Sequence, residues 1–116
     1  MKLFHGGGSP FVRKVMVVAH EAGLVDKLEL LDGGTTPIET NPTLAKSNPV
    51  GKIPALILDD GTALPNSPVI CEYLDSQHGG AKLFPASGSA RWHALHLQAI
   101  SDGLMDAAVN NRYETM

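Results

Sequence analysis

Residues 90–113 read as one long helix, and its apolar residues do not keep to one side. Trp92, Leu95, Leu97, Ile100, Leu104, Met105 and Val109 wrap around most of its circumference. A helix on the surface of a small domain carries one apolar stripe, whereas a helix apolar all round needs neighbours on several sides. The residues up to Met116 do not supply them. An exposed apolar face of this kind is a contact site, so the expected state is a homodimer rather than a stable monomer.

The segment ahead of that helix has a different character. His78 to Gly88 (HGGAKLFPASG) holds three glycines and a proline and reads as a linker. The expected division is a first domain over 1–78, a linker over 79–89 and a separate helical segment over 90–116. Within the first domain, Lys2–His5 reads as a strand and Pro10–Ala22 as a helix. Phe11, Val15, Val18 and Ala22 form its apolar stripe, with Arg13, Lys14, His20 and Glu21 opposite. Ser9 is a favoured N-cap, Pro10 fits the first helical position, and Gly23 suits the residue just past the end. Leu28–Leu31 reads as a second strand and Asp32–Thr40 as a loop, with a short helix from Asn41-Pro42 through Lys46. Ala55–Leu58 and Thr62–Leu64, separated by Asp59-Asp60-Gly61, carry a hairpin signal. Ser67-Pro68 repeats the Ser9-Pro10 device, opening a helix to about Gln77 with Ser67 as its N-cap. The order β-α-β-α-β-β-α is compatible with an α/β, thioredoxin-like sheet, followed by the linker and the long helix.

Bulk properties exclude some classes. Of the 116 residues 43% are apolar, enough for a core, and the net charge of −3 offers no basic face for nucleic acid. A single cysteine precludes an internal disulfide and fits a reducing compartment. The first residues lack the apolar run of a signal peptide and no stretch is long enough to span a bilayer. A cytoplasmic protein without membrane or nucleic-acid partners is expected.

His5-Gly6-Gly7-Gly8-Ser9-Pro10 raises three possibilities. An esterase oxyanion loop needs a nucleophile on a G-x-S-x-G elbow. Ser9, in Gly7-Gly8-Ser9-Pro10-Phe11, lacks the last glycine, and no other serine fits. A Walker loop fails because Ile53 follows Gly51-Lys52, and a dinucleotide fingerprint fails because Phe11 replaces the third glycine. What remains is a helix N-terminus, where free N–H groups and the helix dipole favour an anion. A serine there can donate to a thiolate and lower the thiol's pKa, or it can be a cap and nothing more.

Asn48-Pro49-Val50-Gly51-Lys52-Ile53-Pro54, the strand Ala55–Leu58 and then Asn66-Ser67-Pro68-Val69-Ile70 resemble the glutathione transferase family. Ser9-Pro10-Phe11-Val12-Arg13-Lys14 is similar to the start of the first helix in bacterial members. The resemblance runs in order over residues 2–80, and residues 90–114 resemble the first helix of the family's all-helical C-terminal domain, which implies that 90–116 is the first helix of a truncated domain and the chain a fragment, a truncated product or a natural short form. It implies a transferase that binds glutathione as co-substrate, without a metal, and activates its thiol for a small electrophile. Ser9 would face the glutathione sulfur as the catalytic residue. Ile53 would pair its main chain with the cysteinyl unit like an added strand, beside a cis Pro54. Ser67, with the start of its helix, would take the γ-glutamyl carboxylate. Asn66 stands where the family usually has an acid for the α-amino group, and Lys52 would face the glycyl carboxylate. The wall of the electrophile pocket would come from helices beyond this chain, so activity of this short form is weak or absent. The alternative is a non-catalytic thioredoxin-like module that binds glutathione or a protein.

Other residues have bland readings. Cys71, in an apolar helical stretch, reads as a buried small hydrophobe. His93 and His96 share a helix face but lack a third ligand nearby. His5 can line a pocket or end a strand. Asp102 can bond to a helix N-terminus or face water.

Overall fold

The computed structural model describes residues 1–33, 42–49 and 51–115. It contains, in chain order, β1 (Lys2–His5), α1 (Pro10–Glu21), a 3-10 turn (Val25–Lys27), β2 (Glu29–Asp32), α2 (Pro42–Ser47), β3 (Ala55–Ile57), β4 (Ala63–Pro65), α3 (Ser67–Asp75) and α4 (Gly88–Glu114). The four strands form one sheet in the order β2-β1-β3-β4. β1 and β2 run parallel, joined across α1, while β3 is antiparallel to both β1 and β4. This is the expected thioredoxin-like arrangement followed by a long helix.

The register sorts the core into two layers. Leu3 pairs with Leu56, and both point to one face, where Val15, Ala19, Leu24, Ile70, Cys71 and Leu74 close the space from α1 and α3. Phe4 pairs with Ala55 on the opposite face, where Leu44 of α2 covers them. Side chains alternate across a strand, so one short β1 serves both layers.

Local chemistry sets the ends of α1. Ser9 Oγ accepts the Val12 N–H at 3.2 Å as the N-cap, and Pro10 follows. At the other end Gly23, at φ 71°, lets Leu24 N–H reach Ala19 C=O (2.9 Å) and Gly23 N–H reach His20 C=O (3.1 Å). This pair of bonds closes the helix and turns Leu24 into the core beside Ala19.

Several sequence expectations need correction. The buried stripe of α1 is centred on Val12, Val15 and Ala19, with Val18 and Ala22 half-buried at its margin and Phe11 off it. Lys14 is not on a solvated face. The 3-10 turn after Gly23 delays the second strand to Glu29, and α3 ends at Asp75. Ser67 is not the N-cap of α3: Asn66 holds that place, and Ser67 and Pro68 are the first two helical residues. Pro at the second position is equally free of an N–H requirement, so the Ser-Pro pair is shifted by one residue relative to α1. The loop expected over Asp32–Thr40 lies from residue 34 onward outside the described residues, as does Asn41.

The linker is not slack. Asp75, at the end of α3 and buried, accepts Leu83 N–H at 3.0 Å and Phe84 N–H at 2.9 Å, and its Oδ1 lies 2.7 Å from His78 Nε2. Lys82 Nζ donates to the Asp75 and His78 carbonyls at 2.8 and 2.6 Å, satisfying acceptors that a helix end leaves open. Helix α4 begins at Gly88, inside the expected linker. It lies against the sheet unit through a half-buried stripe of Leu95, Gln98, Asp102, Met105 and Val109. Trp92, Leu97, Ile100 and Leu104 are exposed.

Candidate functional site

The register brings one set of backbone ends together. His5 and Asp32 are paired at the ends of β1 and β2. Phe4 pairs with Ala55, which pairs with Pro65. Thus the loop leaving β1, the segment entering β3 and the turn leaving β4 all emerge at the same end of the sheet. Ser9, Ile53-Pro54 and Asn66-Ser67 belong to those three segments. Gly33 closes the same end: its N–H donates to His5 C=O at 2.9 Å, and a Cβ there would come within 2.8 Å of Ile53 Cγ2 and 2.9 Å of Phe4 Cβ. Only a glycine fits between those side chains without displacing them.

Each segment presents a specific chemical group. Ser9 Oγ uses an acceptor position on Val12 N–H, and its proton has no acceptor among the described residues. A hydroxyl has one donor and two acceptor positions, so Ser9 can cap α1 and donate outward at once. The Ile53-Pro54 peptide is cis. Buried Asn48 shapes the approach to it, donating from Nδ2 to Lys52 C=O at 2.9 Å, while Gly51 turns at φ 70° and donates to Asn48 C=O. The Lys52 side chain is exposed. No main-chain hydrogen bond to Ile53 occurs among the described residues.

Asn66 adopts φ 79° and ψ 124°, the only positive φ at a non-glycine residue among those described. A conformation of this kind costs on the order of 1–3 kcal/mol and clusters at functional sites. Its side chain makes no capping bond, so the strained turn aims the first N–H groups of α3 rather than closing them. Ser67 follows, 2% exposed. Lys14 Nζ reaches its Oγ at 3.4 Å and the Asp102 carboxylate at 2.9 and 3.1 Å. Lys14, Ser67 and Asp102 come from α1, α3 and α4, so this contact joins the starts of the two site helices to the long helix.

Sequence reasoning did not find Lys14. Its position opposite the expected stripe gave no signal, because the pairing partner is 88 residues away. Asp102 had two readings, and neither named an ion pair with a lysine. Cys71 is buried, and loss of hydration pushes its thiol up to about 11, with Lys14 opposing and Asp102 adding to the rise. A thiol so raised is not a nucleophile at neutral pH. Among the described residues no group of three or more His, Cys, Asp or Glu side chains could hold a metal ion, and none of the helices is long and apolar enough to cross a membrane.

Residues 8–77 match the model of the glutathione S-transferase N-terminal domain. The chain belongs to the glutathione S-transferase family. The uncharacterized GST-like protein YibF of Escherichia coli (strain K12) is 30% identical over 109 residues, which are 94% of this chain and 52% of YibF. The probable glutathione S-transferase BZ2 of Zea mays is 34% identical over 85 residues, 71% of this chain and 35% of BZ2. Among solved structures, a glutathione transferase family member from Pseudomonas fluorescens Pf-5 with bound glutathione is 50% identical and superposes with a TM-score of 0.96. The match covers 98% of this chain and 56% of that one. The chain thus spans about half the length of YibF and of the Pseudomonas protein, and about a third of BZ2.

Proposed function

We propose that this chain carries the glutathione-binding half of a glutathione transferase. The observation that supports it is the convergence at one end of the sheet of a capping serine with a free proton, an unpaired main chain at Ile53 and a helix start at Ser67. Glutathione offers a thiol, a peptide backbone and an anionic γ-glutamyl end, one for each group. Ser9 donates to the sulfur and favours the thiolate, Ile53 pairs with the cysteinyl unit as an added strand, and Ser67 with the first N–H groups of α3 takes the carboxylate. Asn66 accepts from the α-amino group without charge assistance, and Lys52 faces the glycyl carboxylate. The Pseudomonas relative with bound glutathione, and a second structure of a family member from that strain with bound S-(propanoic acid)-glutathione, support the ligand class.

The finer proposals are a division into a glutathione domain over 1–78, a linker over 79–89 and a helical part from 90, cytoplasmic location, pairing into a homodimer through α4, and transfer to a small electrophile in detoxification. A second reading is a glutathione-binding module without transferase activity.

The test is titration of glutathione beside a steady-state assay with an aryl halide. Ser9→Ala should leave glutathione affinity within about tenfold, since a typical hydrogen bond is worth roughly 0.5–1.5 kcal/mol net, while raising the pKa of the bound thiol. An unchanged thiol pKa would leave Ser9 as a cap only. Binding without turnover, in the longest form of the protein, would favour the second reading.

A further inference from the structure

We propose that Lys14, held by Asp102 of α4, is a positioning residue that commits the Ser67 hydroxyl to donating toward an anionic ligand carboxylate. This rests on the reading of Ser67 given above and extends the site to two residues to which the resemblance assigned no role.

The chemistry of an ammonium fixes the roles at this contact. Lysine donates and never accepts, so at the 3.4 Å contact Ser67 Oγ is the acceptor. Its one proton then points elsewhere, and it has no acceptor among the described residues. At 2% exposure, bulk water is no substitute. The group left is a buried donor at the start of α3, beside the open N–H groups that already favour an anion. The 3.4 Å contact is long for a hydrogen bond, so the influence of Lys14 is chiefly that of a charge orienting a dipole.

Asp102 makes that orientation definite. Lysine is a point charge on a flexible four-carbon stem. The carboxylate fixes it by two short contacts, and side-chain exposures of 19% and 17% keep competing water from most of the pair. Because Lys14 and Asp102 are jointly neutral, they add little long-range attraction. Their effect is local and falls on one end of the ligand. A strap that merely fastened α4 to α1 would show no such preference.

The experiment compares glutathione with its analogue lacking the γ-glutamyl α-carboxylate, each titrated into wild type, Lys14→Met, Lys14→Arg and the double variant Lys14→Met/Asp102→Asn. The double variant leaves no unpaired buried carboxylate and guards against loss of fold, which thermal unfolding monitors. Lys14→Met and the double variant should lose about tenfold or more in glutathione affinity, with the analogue changed by less than about twofold. Lys14→Arg should recover most of the loss. Equal weakening of both ligands, or no loss for glutathione in a folded variant, overturns the role of Lys14 while the glutathione reading stands. A wild-type chain that binds no glutathione overturns both.

Discussion

The sheet unit and helix α4 are similar in apolar content and differ in what holds them. Every buried apolar side chain among the described residues lies between Leu3 and Leu74. Helix α4 is the longest element, at 27 residues, and has none. It is attached by a half-buried stripe, the Lys14–Asp102 pair and an Arg91–Glu72 pair at 2.7 Å that is partly exposed. An ion pair as exposed as Arg91–Glu72 is worth about 0–1 kcal/mol, whereas a buried leucine is worth roughly 1.5–3. The sheet unit is therefore self-sufficient in its core, and α4 is positioned by it without contributing to it. Function follows the same division: the candidate donors sit on the self-sufficient part, and α4 reaches them only through Asp102.

The largest effect expected from this contrast is a core truncation. Leu56→Ala, at a fully buried position between the sheet and helices α1 and α3, should cost about 2–5 kcal/mol in urea unfolding. A cost under about 1 kcal/mol would mean that the two-layer core does not dominate stability.

Next comes the join between the two regions. Burial alone would raise the Asp75 pKa, but the N–H groups of Leu83 and Phe84 and the His78 ring outweigh it and hold the carboxyl below its ordinary value. A depressed folded pKa means the carboxylate stabilises the fold above its unfolded pKa of about 3.9, and that contribution disappears as pH falls through the folded value. Asp75→Asn should therefore cost about 1–3 kcal/mol at neutral pH and progressively less in acid below about pH 4. A wild-type-minus-variant difference that stays constant with pH would assign the effect to packing.

How much of this was legible in sequence depended on distance along the chain. The caps of α1 were readable because Ser9, Pro10 and Gly23 act on residues within a few positions. The motif from Asn48 to Pro54 and the Asn66-Ser67 pair stood out as local strings, and the structure brings the ends of the strands they flank, Ala55 and Pro65, to one end of the sheet. Lys14 and Asp102 were not legible as a pair, since a salt bridge across 88 residues leaves no periodic trace. Asp75 was hidden for a different reason. A carboxylate at a helix end reads as a solvated charge, and its partners are backbone N–H groups of Leu83 and Phe84, which no residue type announces. The off-by-one at Ser67 arose because Ser-Pro fits both the cap and the first-turn positions.

The smallest effect should come from the outer face of α4. Leu104 is 70% exposed, so Leu104→Asn removes little buried area from a single chain and should change its stability by no more than about 0.5 kcal/mol. The proposed homodimer adds a condition. If the face around Trp92, Leu97, Ile100 and Leu104 pairs with a second copy, association stabilises the folded state by mass action. The wild-type melting temperature should then rise with protein concentration, and Leu104→Asn should remove that rise while leaving the dilute value unchanged. Melting curves over a hundredfold range of concentration, read beside sedimentation velocity, separate the cases. A wild-type transition independent of concentration, with a single monomeric species, would leave α4 unpartnered and end the dimer proposal. A large loss from Leu104→Asn in the dilute monomer would instead break the contrast between the two regions, because it would place Leu104 in a core that the sheet unit itself provides.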